Sequence, residues 1–395
     1  MRILVLNWKD LTHPQAGGAE VYTHEITRRW AADGHEVTWF SAGHPGARAD
    51  ETNPHGVRLV RRGGRYGVYR AARDWYTATG GGRFDLVIDE VNTRPFGAVR
   101  WADAPVVALI HQVAREIWHH VYPWPAAAVG RWVLEPAWLR AYRDSPVITV
   151  SASSRDSLAR YGLRRMWTVP AGITARSRPD VPREGRPTLI ALGRLAPAKQ
   201  VDHILRAFAY LREDGFDGQL WVVGDGPAAG RLRRIAPPAT TFHGLVDRVE
   251  RDSLLARSHV HVCASVREGW ALTVDEAAAM GTPTLAYDRP GLRDSVPAAR
   301  GVLVPPTPRA LADGIGARLP EWIARPAAHG WPGGARPWDE VADRVLAVCL
   351  DATGASTAPE VHFTPATNVT PATNITQATN ITPATNITAP RVSEN

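Results

Sequence analysis

Cysteine, lysine and long apolar runs are nearly missing from this chain of 395 residues. Its two cysteines, Cys263 and Cys349, both lie in apolar stretches, a pattern that is typical of buried thiols and predicts neither a disulfide framework nor a zinc site. No apolar run reaches the ~18 residues of a membrane-spanning helix, and the chain opens on the strand-like Arg2 to Leu6 instead of a signal peptide. We therefore expect a cytoplasmic protein.

Lysine is scarce although basic residues are not. Only Lys9 and Lys199 are lysines among 46 basic residues, and the formal net charge is +7. The arginines are spread along the chain without clustered runs or a recognition motif, so the positive charge does not predict a nucleic-acid partner. A lysine kept in such an arginine-rich chain indicates a position that needs a compact point charge, as phosphate sites often do.

Strand-like apolar runs alternate with segments of helical length in two successive series. The first series opens at Ile3 to Leu6, and the second opens at Thr188 to Leu192. This alternation is typical of parallel α/β sheets, and the chain is longer than one hydrophobic core usually organises. The predicted parts are two Rossmann-like doubly wound domains facing a cleft over residues 1–170 and 171–336, a closing helix over 337–352 and a disordered tail over 353–395.

The predicted tail repeats a six-residue unit from Thr364 to Ile387, with no charge and little apolar surface to bury. Such a composition predicts disorder. The repeat also contains four Asn-x-Thr sequons, which would be glycosylation sites only in a secreted protein. We interpret it as a tail or linker; the sequon asparagines are Asn368, Asn374, Asn380 and Asn386.

The segment Arg267 to Pro283, REGWALTVDEAAAMGTP, carries the strongest functional signal. An apolar strand before it and an alanine-rich helical run within it predict a strand-loop-helix junction. The first N–H groups of such a helix have no partners and favour an anionic ligand. Glu268 and Glu276 flank the junction and suit sugar hydroxyls better than phosphate, because like charges repel. Thr273 with Glu276 also fits a capping box, which needs no ligand.

Three more groups of residues follow predicted strands. Gly17 and Gly18 precede a helix and would let the backbone approach a phosphate, although paired glycines are also ordinary in loops. Arg194 and Lys199 follow one strand and offer two cations, although Arg194 also fits an exposed bystander. His111 ends another strand; a lone histidine there is more often structural, yet strand ends concentrate ligand-binding groups.

Taken in order, these residues resemble the family 4 glycosyltransferases, which have the GT-B fold. EGWALTVDEAAAMGTP is similar to that family's Glu-x7-Glu signature, ALGRLAPAKQ to its diphosphate loop, and GGAE, GDGP and TVPAGI to its other landmarks. The resemblance covers residues 1 to about 350. Two positions depart from the family pattern: Ala271 stands where glycine is common before the helix, and Ala171 where asparagine is frequent.

The resemblance implies a retaining transfer of a sugar from a nucleotide diphosphate donor to an acceptor hydroxyl, with no metal or other cofactor. It places Glu268 on hydroxyls of the transferred sugar, Glu276 on the ribose, and His111 at the reaction centre. The expected contacts of the diphosphate are Gly17, Gly18, Arg194, Lys199 and the N–H groups of Leu272 and Thr273, and those of the nucleobase are Leu245 and Val246.

The acceptor is less well indicated. In residues 115–143, Arg131 and Arg140 alternate with six aromatic residues. This pattern fits an apolar acceptor trough or a contact with an anionic membrane surface. Ordinary core packing is the more frequent role of such aromatic residues. We expect a small-molecule or lipid-linked acceptor in bacterial natural-product or cell-envelope glycan synthesis, with a peripheral contact at the inner face of the membrane left open. Two other readings stay open: a GT-B epimerase or phosphorylase, and a non-catalytic sugar-nucleotide-binding protein. The six aromatic residues are Trp118, Tyr122, Trp124, Trp132, Trp138 and Tyr142.

Overall fold

Two sheets organise the protein in a computed structural model that describes residues 1–80, 83–174, 177–178, 180–326 and 336–354. The predicted tail, with its repeat and its sequons, lies outside these residues apart from 353 and 354. Each sheet is built from strands and helices that alternate along the chain, as the apolar pattern predicts.

The first sheet has eight strands in the order β3-β4-β2-β1-β5-β6-β7-β8. Every neighbouring pair is parallel except β3 with β4, which is antiparallel. The sequence pattern missed the short β3 and β8, because neither carries an apolar run. The strands are β1 (Arg2–Leu6), β2 (Glu36–Ser41), β3 (Asp50–Thr52), β4 (Arg58–Arg61), β5 (Leu86–Glu90), β6 (Val106–Leu109), β7 (Val147–Thr149) and β8 (Met166–Thr168).

The second sheet has six parallel strands in the order β11-β10-β9-β12-β13-β14. Read along the chain, this is the 3-2-1-4-5-6 order of a doubly wound fold. The two sheets confirm the predicted pair of doubly wound α/β arrays. The strands are β9 (Thr188–Leu192), β10 (Gln219–Val223), β11 (Thr240–Gly244), β12 (Val260–Cys263), β13 (Thr284–Tyr287) and β14 (Val302–Val304).

Thirteen α-helices are found in the described residues. Those between strands bury apolar faces on the sheets, and both cysteines are buried and free, as the sequence predicts. The helices are α1 (Gly18–Ala32), α2 (Val68–Ala78), α3 (Trp118–Val121), α4 (Trp124–Val129), α5 (Glu135–Arg140), α6 (Ala152–Ala159), α7 (Val201–Glu213), α8 (Ala229–Ile235), α9 (Arg248–Arg257), α10 (Leu272–Ala279), α11 (Leu292–Ala298), α12 (Pro308–Ala324) and α13 (Trp338–Ala352).

The sequence from Ala127 to Tyr142 has the length and composition of one helix, but the structure divides it. The chain there forms α4, a π-helical turn over Gly130–Leu134, and α5. Gly130 lies directly on an indole ring, since a Cβ at this position would come within 2.2 Å of Trp118 Cε3. Proline at the start of α5 also removes a backbone donor, so the hydrogen-bond pattern changes along the segment.

The helix α13 packs on α1 beside the first sheet. Trp30 Nε1 donates a hydrogen bond of 3.0 Å to the Ala342 carbonyl, and the buried face of α13 includes Val341, Val345 and Cys349. Gly172 lies against the start of this helix, because a Cβ there would meet Trp338 Cδ2 at 2.7 Å. The last described helix is therefore held by the side of the chain that contains β1.

Candidate active site

The predicted site residues lie where the strand order of each sheet reverses. In the first sheet this point is between β1 and β5, and in the second it is between β9 and β12. Ligands of open α/β sheets bind outside the carboxyl ends of the strands at such points. The loops after β1, β6, β9 and β12 hold nearly all of the residues that the sequence singles out.

One cavity at the edge of the second sheet brings together Arg194, Lys199, Glu268 and Thr273. The Lys199 ammonium and the Glu268 carboxylate form an ion pair. Burial disfavours the charged lysine, but the neighbouring Glu268 outweighs it, and the pKa of Lys199 is raised. The cavity thus contains a fixed ammonium and a carboxylate that pair with each other when no ligand separates them.

The GDGP turn supports the loop that carries Arg194. A Cβ at Gly224 would lie 2.0 Å from the Gly193 carbonyl oxygen, and one at Gly226 would lie 2.6 Å from the Leu195 carbonyl oxygen. Both glycines also have positive φ angles, 124° and 158°. Only glycine fits these two positions, so this motif holds the cation loop in place through its backbone.

The start of α10 excludes the capping-box interpretation of Thr273 and Glu276. Ala271 is the N-cap residue, and no side chain caps the helix. The Glu276 carboxylate instead accepts a 2.7 Å hydrogen bond from Arg251 Nη1. Burial raises the pKa of Glu276, and the charge of Arg251 opposes that shift. Glu276 therefore pairs with Arg251 and does not cap α10, which removes the alternative that needs no ligand.

Ala271 adopts a left-handed conformation, with φ of 65° and ψ of 73°. This is the position where the resembling family commonly has glycine, and the Cβ of alanine strains such a backbone. We expect Ala271→Gly to raise the free energy of unfolding by about 1 kcal/mol. Urea denaturation measures it.

Ala317→Gly is the matched control for this substitution, because Ala317 is exposed inside α12 with ordinary helical geometry. It should lower the free energy of unfolding by about 1 kcal/mol. Equal destabilisation by both substitutions would contradict the strain at Ala271.

The glycine loop of the first sheet rests on a buried polar network. Gly17 is the N-cap of α1, and its N–H donates to Glu20 Oε2 at 2.6 Å. Glu20 also pairs with Lys9 at 3.2 Å and accepts from Asn92 Nδ2 at 3.3 Å. Both lysines of the chain thus pair with a glutamate at the carboxyl edge of a sheet. Neither Glu20 nor Asn92 was a predicted site residue, and only the rarity of lysine indicated Lys9.

His111 has an acidic partner that sequence reasoning missed. Its Nε2 lies 3.2 Å from Glu90 Oε1, and Glu90 is fully buried at the end of β5. Burial raises the pKa of Glu90, while His111 and a hydrogen bond from Thr23 Oγ1 favour its charged form. The rings of Tyr22 and His111 pack in a T-shaped arrangement, with their centroids 5.2 Å apart. A carboxylate that ends a buried strand was the available signal for Glu90.

The loops after β1 and β6 of the first sheet contact the loop after β12 of the second sheet. A Cβ at Gly269 would lie 3.0 Å from the His111 carbonyl oxygen, and a Cβ at Gly18 would lie 3.5 Å from Leu272 Cδ1. Gly269 therefore permits the close approach of the Glu268 loop to His111. Residues from both halves of the chain line one cleft, as the resemblance implies.

Two expected nucleobase contacts follow β11. Leu245 is 86% exposed, whereas Val246 packs in part on the core beneath it. An exposed leucine is open to a ligand, but neither residue touches the cavity that holds Lys199. Their role in donor binding stays a prediction.

The six aromatic residues of 115–143 differ in burial, and Tyr122 and Trp138 are partly buried against Trp118. Trp118 and Tyr142 are buried, as the packing interpretation expects. That interpretation is wrong for Trp124 and Trp132, which are 74% and 61% exposed. The segment therefore presents large apolar side chains at its surface.

Metal-binding and membrane-spanning features are absent from the part of the chain that the structure describes. It contains no cluster of three or more His, Cys, Asp or Glu side chains suited to a metal ion. None of the helices in this part of the chain is long and apolar enough to cross a membrane.

Two doubly wound sheets whose carboxyl edges share one cleft define the GT-B class of glycosyltransferases. The family description "Glycosyltransferase Family 4" matches residues 16–177, and "Glycosyl transferases group 1" matches residues 186–319. The chain belongs to family 4 of the glycosyltransferases and is a nucleotide-sugar-dependent enzyme of that family.

Several known proteins are similar to the chain. Glycogen synthase of Mycobacterium tuberculosis is 29% identical over 340 residues, which is 75% of this chain and 80% of that protein. A GDP-mannose-dependent alpha-(1-6)-phosphatidylinositol dimannoside mannosyltransferase of the same species is 29% identical over 46% of this chain and 50% of that protein. The structure of sucrose-phosphate synthase from Thermosynechococcus elongatus aligns with a TM-score of 0.67 at 21% identity, over 90% of this chain and 96% of that chain.

Proposed function

We propose that the enzyme transfers a hexosyl group, with retention of configuration, from a nucleotide diphosphate sugar to an acceptor hydroxyl in bacterial cell-envelope glycan or natural-product synthesis. The observation that carries the proposal is the meeting of Arg194, Lys199 and Glu268 in one cavity, with His111 across Gly269. Cations suit a diphosphate, and a carboxylate beside them suits sugar hydroxyls.

The diphosphate is the group that gains charge during the reaction. When the bond between the anomeric carbon and the phosphate oxygen breaks, negative charge grows on the phosphate. Arg194, Lys199 and the N–H groups of Leu272 and Thr273 are the donors beside this position, and a fixed donor of this kind is worth about 2.7–4 kcal/mol. Gly17 and Gly18 present backbone from the opposite side of the cleft.

The acceptor oxygen forms its bond to the anomeric carbon on the face that the phosphate leaves. The departing phosphate oxygen takes the acceptor proton, so no protein base is required. His111 then polarises a hydroxyl beside the reaction centre, and the buried Glu90 fixes the orientation of its ring through Nε2. This arrangement makes Glu90 a positioning residue for His111.

The remaining polar residues place the nucleoside. Glu268 leaves its pairing with Lys199 to hold sugar hydroxyls, while the diphosphate takes over the ammonium. Glu276 accepts hydrogen bonds from the ribose hydroxyls, and Leu245 with Val246 covers the base. The relatives include a glucan synthase and a mannosyltransferase of a lipid-linked acceptor, which fits a hexosyl group and a glycan or glycolipid product.

A donor screen tests the proposal. Purified enzyme is incubated with uridine, guanosine and thymidine diphosphate sugars and candidate acceptors, products are found by mass spectrometry, and the new anomeric linkage is read by NMR. We expect an axial donor to give an axial product, and neither magnesium nor a chelator to change the rate. An altered sugar nucleotide, or phosphate-dependent cleavage, without a glycosylated acceptor would contradict sugar transfer. Loss of activity in the presence of the chelator would show that the reaction needs a metal ion.

The ribose contact gives a separate prediction. Glu276→Gln keeps an acceptor oxygen for Arg251 but removes the charge, so thermal stability should change little while donor affinity falls by roughly 10-fold. Isothermal titration with the nucleoside diphosphate and a melting curve measure the two quantities. Unchanged affinity would limit Glu276 to its ion pair with Arg251.

A further inference from the structure

An exposed apolar surface is concentrated in one short stretch of the chain. Among the described residues, six of the thirteen large hydrophobic side chains that are exposed lie between Val121 and Leu134. Exposed apolar side chains that are concentrated in this way are typical of a contact with a partner or a membrane. We refer to these six as the apolar patch: Val121, Trp124, Val129, Trp132, Val133 and Leu134.

The exposed charges within residues 115–143 have one sign. The two carboxylates within residues 115–143 are both engaged by the protein itself. Glu116 forms a two-point ion pair with Arg267, with distances of 2.5 and 3.1 Å, and Glu135 is buried and accepts from Trp118 Nε1. The exposed charges that remain in this range include Arg140 and Arg143 and are basic.

Two further arginines lie directly on the patch. The guanidinium carbons of Arg115 and Arg131 are 5.2 and 4.8 Å from the ring centre of Trp132. An indole with an apolar face and a wet edge, beside an arginine with an apolar stem and a charged end, suits the boundary between lipid tails and headgroups. The indole of Trp132 and the two arginines therefore match the chemistry of an anionic bilayer surface.

The position of the patch relates it to the cleft. It begins at Val121 at the end of α3, ten residues after His111, and α3 also contacts the turn Pro197–Lys199. A surface that covers the patch therefore lies beside the mouth of the cleft on the side of the first sheet. An acceptor held in that surface by a lipid tail would have its hydroxyl near His111.

We propose that the apolar patch with Arg115, Arg131 and Arg140 docks the enzyme on an anionic membrane surface. The patch supplies side chains that enter the boundary of the bilayer, and the arginines supply attraction to acidic headgroups. The proposal deepens the proposed function, because a lipid-linked acceptor rests on it. Membrane binding itself needs neither donor nor acceptor, so it is tested separately.

The test is co-sedimentation of the full chain with vesicles, without sugar nucleotide. One set contains phosphatidylcholine alone, and the other contains about 30% phosphatidylglycerol, which gives the surface a negative potential. We expect binding to the acidic vesicles, weak binding to the neutral ones, and a decrease with salt. Replacing both Trp124 and Trp132 by serine, or Arg131 and Arg140 by glutamate, should lower binding by about tenfold or more.

Matched controls come from the same protein. Tyr66 is 69% exposed beneath Arg65, so Tyr66→Ser removes an equally exposed aromatic residue with an arginine on it. Arg318→Glu reverses an exposed charge on α12. Both controls should bind acidic vesicles as the wild type does, and all variants should keep the melting temperature and the affinity for the nucleoside diphosphate.

Three results would overturn the proposal. Absence of wild-type binding to acidic vesicles excludes the membrane and leaves a protein partner for the patch. If the enzyme binds neutral and acidic vesicles equally, the arginines do not attract it to acidic headgroups. Equal loss in the controls and the patch variants would show attraction by net charge alone. If the tryptophan variant unfolds, the Arg131→Glu, Arg140→Glu variant decides the question, because it replaces one partly buried and one exposed arginine and no core side chain.

Discussion

Glu268→Ala is expected to lower the rate of sugar transfer by about 10²–10³-fold while the melting temperature changes little. The carboxylate lies in a loop, lines the cavity with Arg194, and has the partly exposed Lys199 as its partner. An ion pair whose lysine side chain is 37% exposed contributes at most about 1 kcal/mol to stability, because solvent screens the interaction. The lost function is the acceptance of sugar hydroxyls.

Glu184→Ala is the control for Glu268, because Glu184 forms a similar partly exposed ion pair with Arg257 on the same half of the chain. It should lose a comparable, small amount of stability and keep full transfer activity. Transfer rates at saturating donor and thermal melts of both variants measure the difference. If both properties fall together in Glu268→Ala, the residue is structural.

Lys199→Ala is expected to slow transfer by a similar factor and to weaken donor binding less than it lowers kcat. The negative charge of the diphosphate grows toward the transition state, so an ammonium beside it contributes more there than in the donor complex. The raised pKa of Lys199 keeps this ammonium charged across the neutral range. Single-turnover rates and donor titrations separate the two effects.

Two further variants test the geometry at this position. Lys199→Met keeps the length of the side chain without its charge and should behave as the alanine variant does. Lys199→Arg should restore only part of the activity, because a planar guanidinium does not replace a compact ammonium. Full activity of Lys199→Met would remove the lysine from the mechanism.

The sequence predicted the two sheets because their strands are buried apolar runs between helical segments, and this pattern needs no knowledge of distant contacts. It missed β3 and β8, which are short and lack such runs. The location of the cleft followed from the same pattern, since the carboxyl ends of neighbouring parallel strands meet at one edge.

The roles of single side chains did not follow from residue spacing alone. Thr273 and Glu276 have the spacing of a capping box, yet Ala271 takes the N-cap position in a left-handed conformation and Glu276 pairs with Arg251. Where a helix begins depends on how the preceding loop packs, and spacing alone does not contain that information. The same holds for Trp124 and Trp132, whose exposure the spacing of the aromatic residues does not predict.

The sequence by itself determined the order of strands and helices, the family and the residues near the cleft, because these depend on local periodicity and on short motifs. The tertiary structure decided the partners: Glu90 beside His111, Glu20 beside Lys9, and Glu268 beside Lys199. Each pair joins residues 11 to 69 positions apart in the chain, as their numbers show. Packing of the sheets brings such residues within hydrogen-bond distance, and only the folded chain specifies which carboxylate meets which cation.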